Sequence, residues 1–473
     1  MKLSTLIGSN GEDSPVVTGF AIDHRKVAPG TIFGAFRGAQ FNGEDFIADA
    51  IAAGAIAIVS RPEAHVEGAP RIADEEPRRA FAQLAAKFFA PFPEISVAVT
   101  GTNGKTSTVE LTRQLWRMAG QNAASIGTLG VTTADEQVKT GLTTPDIVTF
   151  LSNAAGLKRE GVSHLAFEAS SHGLSQYRTE GLPVGAAAFT NLSRDHLDYH
   201  LTMEAYLTAK LRLFTEVVDK DGTAIVWADD PASAEVVAAI EGRGVRGISV
   251  GQKGTAIKLL DRTPTSLGQT LVVEAEGNNF TIKLPLIGAY QANNALVAAG
   301  LVWATGGDLE TIFSNLARVQ PVRGRLERAV ITKAGAPLYV DYAHTPDALQ
   351  AAIDALRWHA KGRLITVFGA GGDRDTGKRP LMGAVATKFS DHVIVTDDNP
   401  RSEDPAAIRK SILMSAPGAV NIGGRREAIA AAVEEAGPDD IILLAGKGHE
   451  QGQEIGDRTL PFDDVTVARE CVA

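Results

Sequence analysis

The segment SVAVTGTNGKTSTVELTRQLWRMAG, residues 96–120, constrains the fold more than any other. An apolar, β-branched run leads into a glycine-containing turn and then into a helix-forming stretch closed by Gly120. A strand that passes through such a turn into a helix aims free backbone N–H groups and the positive helix end at one point, a natural place for phosphate. Lys105 adds a point charge and Thr106 a hydroxyl suited to Mg²⁺. The strict phosphate-loop spacing has a glycine five positions before Gly104, where this chain has Val99, so the match is partial: Gly101, Gly104, Lys105 and Thr106. Strand, Gly-x-x-Gly-Lys-Thr and helix coincide, which outweighs an ordinary turn with a solvated lysine and predicts nucleotide binding.

The 473 residues amount to about three domains at roughly 150 residues each. Hydrophobic residues make up 44% and charged residues 22%, which excludes wholesale disorder. The prolines of APFPEI, Pro91 and Pro93, stop a helix expected from about Glu76 to Phe89, and the run Phe46 to Ala53 also reads as helical. From Ser96 onward β-rich runs alternate with amphipathic ones, the βαβ signature of a largely parallel sheet. A second such alternation (APLYVDY, RLITVFG, HVIVTDD, DIILLAG) fills the C-terminal part. The expected organisation is three α/β domains, 1–92, 93–322 and 323–473. The net charge of −10 has the wrong sign for a nucleic-acid backbone partner. One cysteine, Cys471, allows neither an internal disulfide nor a thiolate metal cage. The first residues have too short an apolar stretch for a signal peptide, and the run from Ile51 to Val59 falls short of the ~20 residues that span a bilayer. A cytoplasmic protein without membrane insertion is expected.

The stretch TNLSRDHLDYHLTMEAYLTAKLRLF repays a helical-wheel count. With Thr202 as N-cap, Met203, Tyr206, Leu207, Leu211 and Phe214 form one apolar stripe, and Lys210 falls on it. Snorkelling is the bland account of a lone inward lysine. The sharper one is an altered charge: a buried amine is readily neutral and can then add CO₂ to form a carbamate, an anionic oxygen ligand for Mg²⁺. His196 and Glu168 are candidates to complete such a site.

GTNGKTS at 101–107, TTP at 143–145, EASSHGLSQYR at 168–178, TNLSRDHLDYH with Lys210, and DYAHTPDAL at 341–349 together resemble the Mur ligases of peptidoglycan synthesis. The resemblance spans nearly the whole chain and is most specific in the second and third domains. It implies a uridine-nucleotide domain, a central P-loop ATPase domain and a Rossmann-like C-terminal domain carrying the amino-acid site, in a monomer. The implied chemistry is ATP-dependent amide formation through an acyl phosphate, with Mg²⁺ offsetting the crowding of phosphates and carboxylate. It makes Lys105, Lys210 and His196 catalytic. Gly101, Thr102, Asn103, Gly104, Lys105, Thr106 and Ser107, with Asn294, Arg325, Asp341 and His344, would face ATP. Thr106, Glu168, His196 and carbamylated Lys210 would serve the metal. Thr143, Thr144, Ser170, Gln176 and Arg178 would bind a UDP-muramoyl dipeptide. Two departures stand out. The family's GxxNxxN motif reads GAYQANN, with Gln291 in the first Asn position; and Asp23-His24-Arg25 replaces a usual Asp-Ser-Arg, leaving His24 and Gln40 as uridine candidates.

Three strand-to-loop junctions of the last domain (FGAGGDRDTGKRP, DDNPRSEDP and AGKGHEQGQ) should converge at the carboxyl edge of a parallel sheet. GAGGDRD is a weak dinucleotide-loop lookalike without GxGxxG. The resemblance instead implies amino-acid recognition by Arg374, Asp398, Asn399, Pro400, Arg401, Gly446 and Glu450. Meso-diaminopimelate carries a second ammonium–carboxylate centre where lysine ends in an ammonium alone, and a planar Arg fork suits the extra carboxylate. The DNPR stretch at 398–401 matches the family's diaminopimelate signature. The expected activity is therefore addition of diaminopimelate to a UDP-N-acetylmuramoyl dipeptide. Alternatives are a lysine-adding or folylpolyglutamate synthetase-like ligase, and a nucleotide-dependent binding module, against which no Asn-Lys-x-Asp motif occurs.

Overall fold

The Val- and Ala-rich runs that open and close each βα unit lie side by side in three sheets, seen in a computed structural model that describes residues 1–9, 13–38 and 41–473. Gln40 lies outside the described residues. Four short parallel strands, Gly19–Ala21, Thr31–Gly34, Ala55–Ser60 and Arg71–Ala73, form the N-terminal sheet. The helix Pro77–Phe89 covers it, with Phe81 edge-on to Phe20 and Phe36 at centroid distances of 5.2 and 5.4 Å. This helix begins one residue after the expected Glu76, at a proline whose missing N–H costs nothing in the first turn. The other expected helix is shorter, Ile47–Ala52, and follows a 3₁₀ turn.

The central sheet has eleven strands and is parallel only in its middle. Strands Arg246–Gly251, Thr223–Trp227, Ala186–Phe189, Ile95–Thr100, His164–Glu168 and Ala123–Gly127 run parallel. At one edge Ile257–Thr265, Gly268–Ala275 and Asn278–Leu284 form an antiparallel meander, and at the other Gly130–Thr132 and Gln137–Val138 turn back antiparallel. The expected largely parallel sheet is present, with antiparallel pairings added at its two edges. Two-residue connections such as Ser266-Leu267 are too short for the crossover that a parallel pair demands.

The C-terminal sheet has six strands. Pro337–Asp341, Ile441–Ala445, Leu364–Phe368, His392–Val395 and Val420–Asn421 are parallel, and Glu327–Ile331 is an antiparallel edge. Parallel strands collect their following loops at one edge. The carboxyl edges of the two larger sheets face each other: Arg194 of the central unit pairs with Asp375 at 3.0 Å, and Arg325 donates to Thr106 at 3.0 Å. Among the described residues no helix is long and apolar enough to cross a membrane.

Beneath the C-terminal edge lies a fully enclosed ion pair. Arg425 and Asp464 both have side-chain exposures of 0% and meet through two hydrogen bonds of 2.7 and 2.6 Å. Arg425 also donates to the Ala445 and Asp397 carbonyls, so it ties together two of the strand ends that carry the polar loops. Arg425→Met would strand the Asp464 carboxylate, and a loss of about 3 to 5 kcal/mol in urea-unfolding stability is expected; a change below ~1 kcal/mol would contradict the pair's structural role.

Candidate active site

The turn at 101–104 is shaped by neighbours that leave no room for side chains at its glycines. Gly101 (φ 146°) would carry a Cβ only 1.9 Å from the Thr190 hydroxyl, and Gly104 (φ 87°) one 2.3 Å from Asn294 Oδ1. The turn leads from the strand Ile95–Thr100 into the helix Lys105–Met118, whose first turn carries no acidic residue. Its shape is held from the next strand's loop: Asn103 N donates to Asn191 Oδ1 (2.9 Å), Thr190 Oγ1 to Asn103 O (2.6 Å), and Thr102 Oγ1 to Ser193 O (3.2 Å). The turn, with Lys105, Thr106 and Ser107, lines a cavity of about 540 Å³ between the central and C-terminal sheets.

Thr202 caps the helix Met203–Arg212 by accepting from Ala205 N, and the wheel places Lys210 inward: it is 1% exposed. Its Nζ donates to Gly101 O at 2.7 Å and stands 4.2 Å from the Tyr206 ring centroid. Lys105 Nζ donates to the same Gly101 carbonyl at 2.9 Å and to Thr102 O at 2.8 Å. Two amines thus share one acceptor. Burial drives the Lys210 amine well below its ordinary value and the Lys105 charge adds to the effect; burial also lowers Lys105. Glu168, 1% exposed at the end of its strand, accepts from Thr128 N (2.7 Å) and Thr128 Oγ1 (3.2 Å), and burial raises its carboxyl against the pull of Lys105. His196 (φ 54°) lines the cavity; burial lowers its imidazole to about 3, so it is neutral near pH 7.

The facing wall comes from the C-terminal unit. Arg325 reaches Thr106 and stacks over Tyr342 at 4.5 Å. Asp341 is pinned by Leu326 N (2.7 Å), Ala343 N (2.8 Å) and Tyr290 Oη (3.2 Å), and burial raises it. His344 holds Tyr342 O through Nδ1 (2.9 Å), and its Nε2 lies 3.5 Å from Asp195. Asn294 is buried with its Nδ2 unpartnered, and it lines the cavity.

Thr143, Ser170 and Glu168 also reach the cavity. Thr144 is 1% exposed; its hydroxyl donates to Glu168 O (2.7 Å) and accepts from Ser170 N (3.0 Å). Arg178 donates to Thr144 O (2.9 Å) and to Gln176 Oε1 (2.7 Å), so 143–144 and 170–178 form one connected surface. His24 is apart from it, in a 3₁₀ turn of the N-terminal unit, stacked 4.3 Å from Phe46 of the 3₁₀ turn Gly43–Phe46.

The three polar loops of the last sheet meet each other rather than the main cavity. Gly372 N donates to Asn399 O (2.8 Å), Arg401 Nη1 to Gly372 O (2.8 Å), and Asn399 Nδ2 to Glu450 Oε2 (2.8 Å). Asp398 accepts from Asn399 N (2.7 Å) and stands at 4.0 Å from Arg425. Pro400 is buried behind them, and Gly446 (φ 113°) turns the chain where a Cβ would lie 2.5 Å from Asp398 Oδ2. Arg374 is exposed and donates to its own loop at Asp373 O (3.1 Å).

Three family models match the chain: Mur ligase family, catalytic domain, over 16–89; Mur ligase middle domain over 99–302; and Mur ligase, glutamate ligase domain, over 324–448. The UDP-N-acetylmuramoyl-L-alanyl-D-glutamate–2,6-diaminopimelate ligase of Zymomonas mobilis is 60% identical over 98% of this chain and 96% of its own length. The chain belongs to the Mur ligase family. The protein of the same name from Caulobacter vibrioides is 50% identical, covering 98% and 97% of the two chains. A solved structure of a ligase with that name superposes with a TM-score of 0.72 at 32% identity, covering 100% and 98%. A Mycobacterium tuberculosis folylpolyglutamate synthase complexed with ADP shares the fold (TM-score 0.65, 20% identity, 80% and 92% covered).

Several residues of this Mur ligase escaped the sequence reading. Asp195 is 6% exposed and stands within 4.0 Å of His196, His344 and Lys378; burial alone would raise its carboxyl, but His344, His196 and Lys378 carry it well below the usual range. Lys447, with 0% of its side chain exposed, donates to Asn399 Oδ1 (2.9 Å) and Glu450 Oε2 (3.0 Å). It lies inside the AGKGHE run, where inward placement leaves no periodic trace. His172 meets His196 edge-on at 4.8 Å. His449 packs 5.1 Å from Tyr342, and burial lowers it to about 3. Unfolded, it takes up a proton below about pH 6.5 that the native site refuses. Its contribution to stability is therefore full above that pH and is lost as pH falls toward about 3. The melting temperature should fall between pH 8 and pH 4, and less steeply in His449→Asn; equal slopes would show that His449 is not excluding a proton.

Proposed function

We propose that this chain joins meso-2,6-diaminopimelate to UDP-N-acetylmuramoyl-L-alanyl-D-glutamate at the expense of ATP, a step of peptidoglycan synthesis. The observation that carries this reading is near-full-length identity of 60% to a ligase with that name, in a chain whose DNPR loop holds Arg401 among the amino-acid loops. Three domains, 1–92, 93–322 and 323–473, would serve the uridine nucleotide, ATP and the amino acid. In this reading the chain would act as a monomer, and nucleotide-activated substrates support a cytoplasmic place of work.

A carboxylate is a poor electrophile. In this reading an oxygen of the D-glutamate carboxylate attacks the γ-phosphorus of ATP, the bond to the β-γ bridging oxygen breaks, and ADP leaves an acyl phosphate. An uncharged amine of diaminopimelate then attacks the acyl carbon; the tetrahedral adduct expels phosphate, gives up a proton and becomes the amide. The turn at 101–107 would cradle phosphate oxygens, with Lys105 as the charge beside them. The unpartnered Asn294 Nδ2 offers ATP a donor no protein group uses. Arg325, Asp341 and His344 would close the nucleotide from the other side. Thr143, Thr144, Ser170, Gln176 and Arg178 would hold the dipeptide, and His24 with Gln40 the uridine.

The donors at the cavity wall fit a hard cation: Thr106 and Glu168 supply oxygens, His196 a neutral nitrogen, and Lys210, as its carbamate, a further anionic oxygen. Mg²⁺ there would neutralise charge on the phosphates. The low proton affinity of Lys210 supports carbamate formation, in which the free amine adds to CO₂ and releases a proton. Lys210→Ala should abolish ligation, and short carboxylic acids at millimolar concentration should restore part of it by filling the vacated anionic site. Full activity of Lys210→Ala without added acid would refute the role.

Arg374, Asp398, Asn399, Pro400, Arg401, Gly446 and Glu450 would receive diaminopimelate, with Arg401 on its distal carboxylate. Arg401→Ala should cost roughly 2 to 5 kcal/mol, orders of magnitude in kcat/KM for diaminopimelate, with ATP binding little changed. Lysine should be a poor substrate of the wild type. Equal use of lysine, or an unchanged diaminopimelate value in the variant, would refute the assignment.

A further inference from the structure

The loop at 398–401 does not stand free. A two-stranded antiparallel hairpin of strands Gly452–Ile455 and Arg458–Pro461, separate from the three larger sheets, lies along it. Gln453 Nε2 donates to Asp398 O (2.7 Å), Glu454 N to Asn399 Oδ1 (3.0 Å), Arg401 N to Glu454 O (3.0 Å), and Gly456 N to Arg401 O (2.7 Å). Arg401 has a φ of 51°, a left-handed conformation uncommon outside glycine, and the hairpin holds it by both its N–H and its C=O.

The guanidinium is fixed in turn. Nη1 donates to Gly372 O at 2.8 Å, and Nε donates to a carboxylate oxygen of Glu454 at 2.6 Å. The two partners differ in freedom: the Arg401 side chain is 22% exposed and that of Glu454 47%. A half-exposed carboxylate can rotate into water at little cost, whereas the arginine is held at three points. An incoming carboxylate on the Nε edge of the fork meets the like charge of Glu454, and one guanidinium edge accommodates one carboxylate.

We propose that Glu454 is an internal surrogate for the substrate's distal carboxylate: it keeps Arg401 paired while the site is empty and yields that place when the amino acid binds. The inference rests on the reading of Arg401 given above. It has two consequences for specificity. Binding of a distal carboxylate must displace Glu454, which weakens it. A diamino acid lacking that carboxylate leaves Glu454 where it is, so Arg401 is never stranded and the penalty against lysine is softened. Glu454 thus lowers discrimination from both sides.

The test compares wild type, Glu454→Ala, Glu454→Gln, Arg401→Ala and the double variant Arg401→Ala/Glu454→Ala in the full-length enzyme. The readouts are KM for diaminopimelate and for lysine, with diaminopimelate binding by calorimetry alongside and KM for ATP as control. Both Glu454 variants should lower KM and the dissociation constant for diaminopimelate by roughly two- to fivefold, the scale of a half-exposed ion pair. They should also raise the preference over lysine. In the Arg401→Ala background the Glu454 substitution should have no effect. A KM for diaminopimelate that rises or stays level, or an effect that persists without Arg401, would overturn the proposal. A wild type that does not ligate diaminopimelate would instead remove the reading on which it rests, and the proposal with it.

Discussion

Two lysine amines on one carbonyl oxygen set the terms for the rest of the site. Lys105 and Lys210 both donate to Gly101 O, and Lys210 has almost no contact with solvent. Two like charges at that separation in a poorly solvated place repel strongly, and water cannot screen them. The conflict is relieved if anions arrive or if one amine ceases to be a cation. On the proposed reading the turn at 101–107 would supply a place for the first, and burial, which lowers the proton affinity of Lys210, permits the second. Burial that would be a liability in a structural lysine would become, on the same reading, a means of making an anionic ligand without an acidic residue at that position.

The same edge explains why the site spans two sheets. Each parallel sheet gathers polar loops at its carboxyl end, and the two edges are joined by Arg325 with Thr106, by Tyr290 with Asp341, by Asp195 with His344 and Lys378, and by Arg194 with Asp375. A ligase must bring an activated carboxyl group and an amine together only after phosphate transfer. On the proposed reading, substrate loops from both sheets would face one another across the gap between the two edges.

Local pattern made much of this legible. The strand–turn–helix at 96–120 and the inward Lys210 followed from periodicity and capping, and the strand-end loops of the last sheet met as a parallel arrangement requires. What escaped depends on contacts between distant residues. Nothing near Asp195 in the chain announces that His344 and Lys378 will face it, and Lys447 looks like one more polar residue in a glycine-rich loop until Asn399 closes over it. The hairpin at 452–461 had a local cue, a Gly456-Asp457 turn between short strands, but no residue in it suggested that Glu454 would meet Arg401. The antiparallel edges of the central sheet were hidden because β-rich runs carry no record of strand direction.

The charge state of Lys210 decides between a repulsive pair of cations and a working anionic ligand. The direct measurement is carbon NMR of the enzyme equilibrated with isotopically labelled bicarbonate, in parallel with a Lys210→Arg variant, which keeps a cation but cannot form the same carbamate. A carbamate resonance present in the wild type, absent in the variant and rising with ligase activity as bicarbonate is added is the expected result. A fully active wild-type enzyme that shows no such resonance would contradict it.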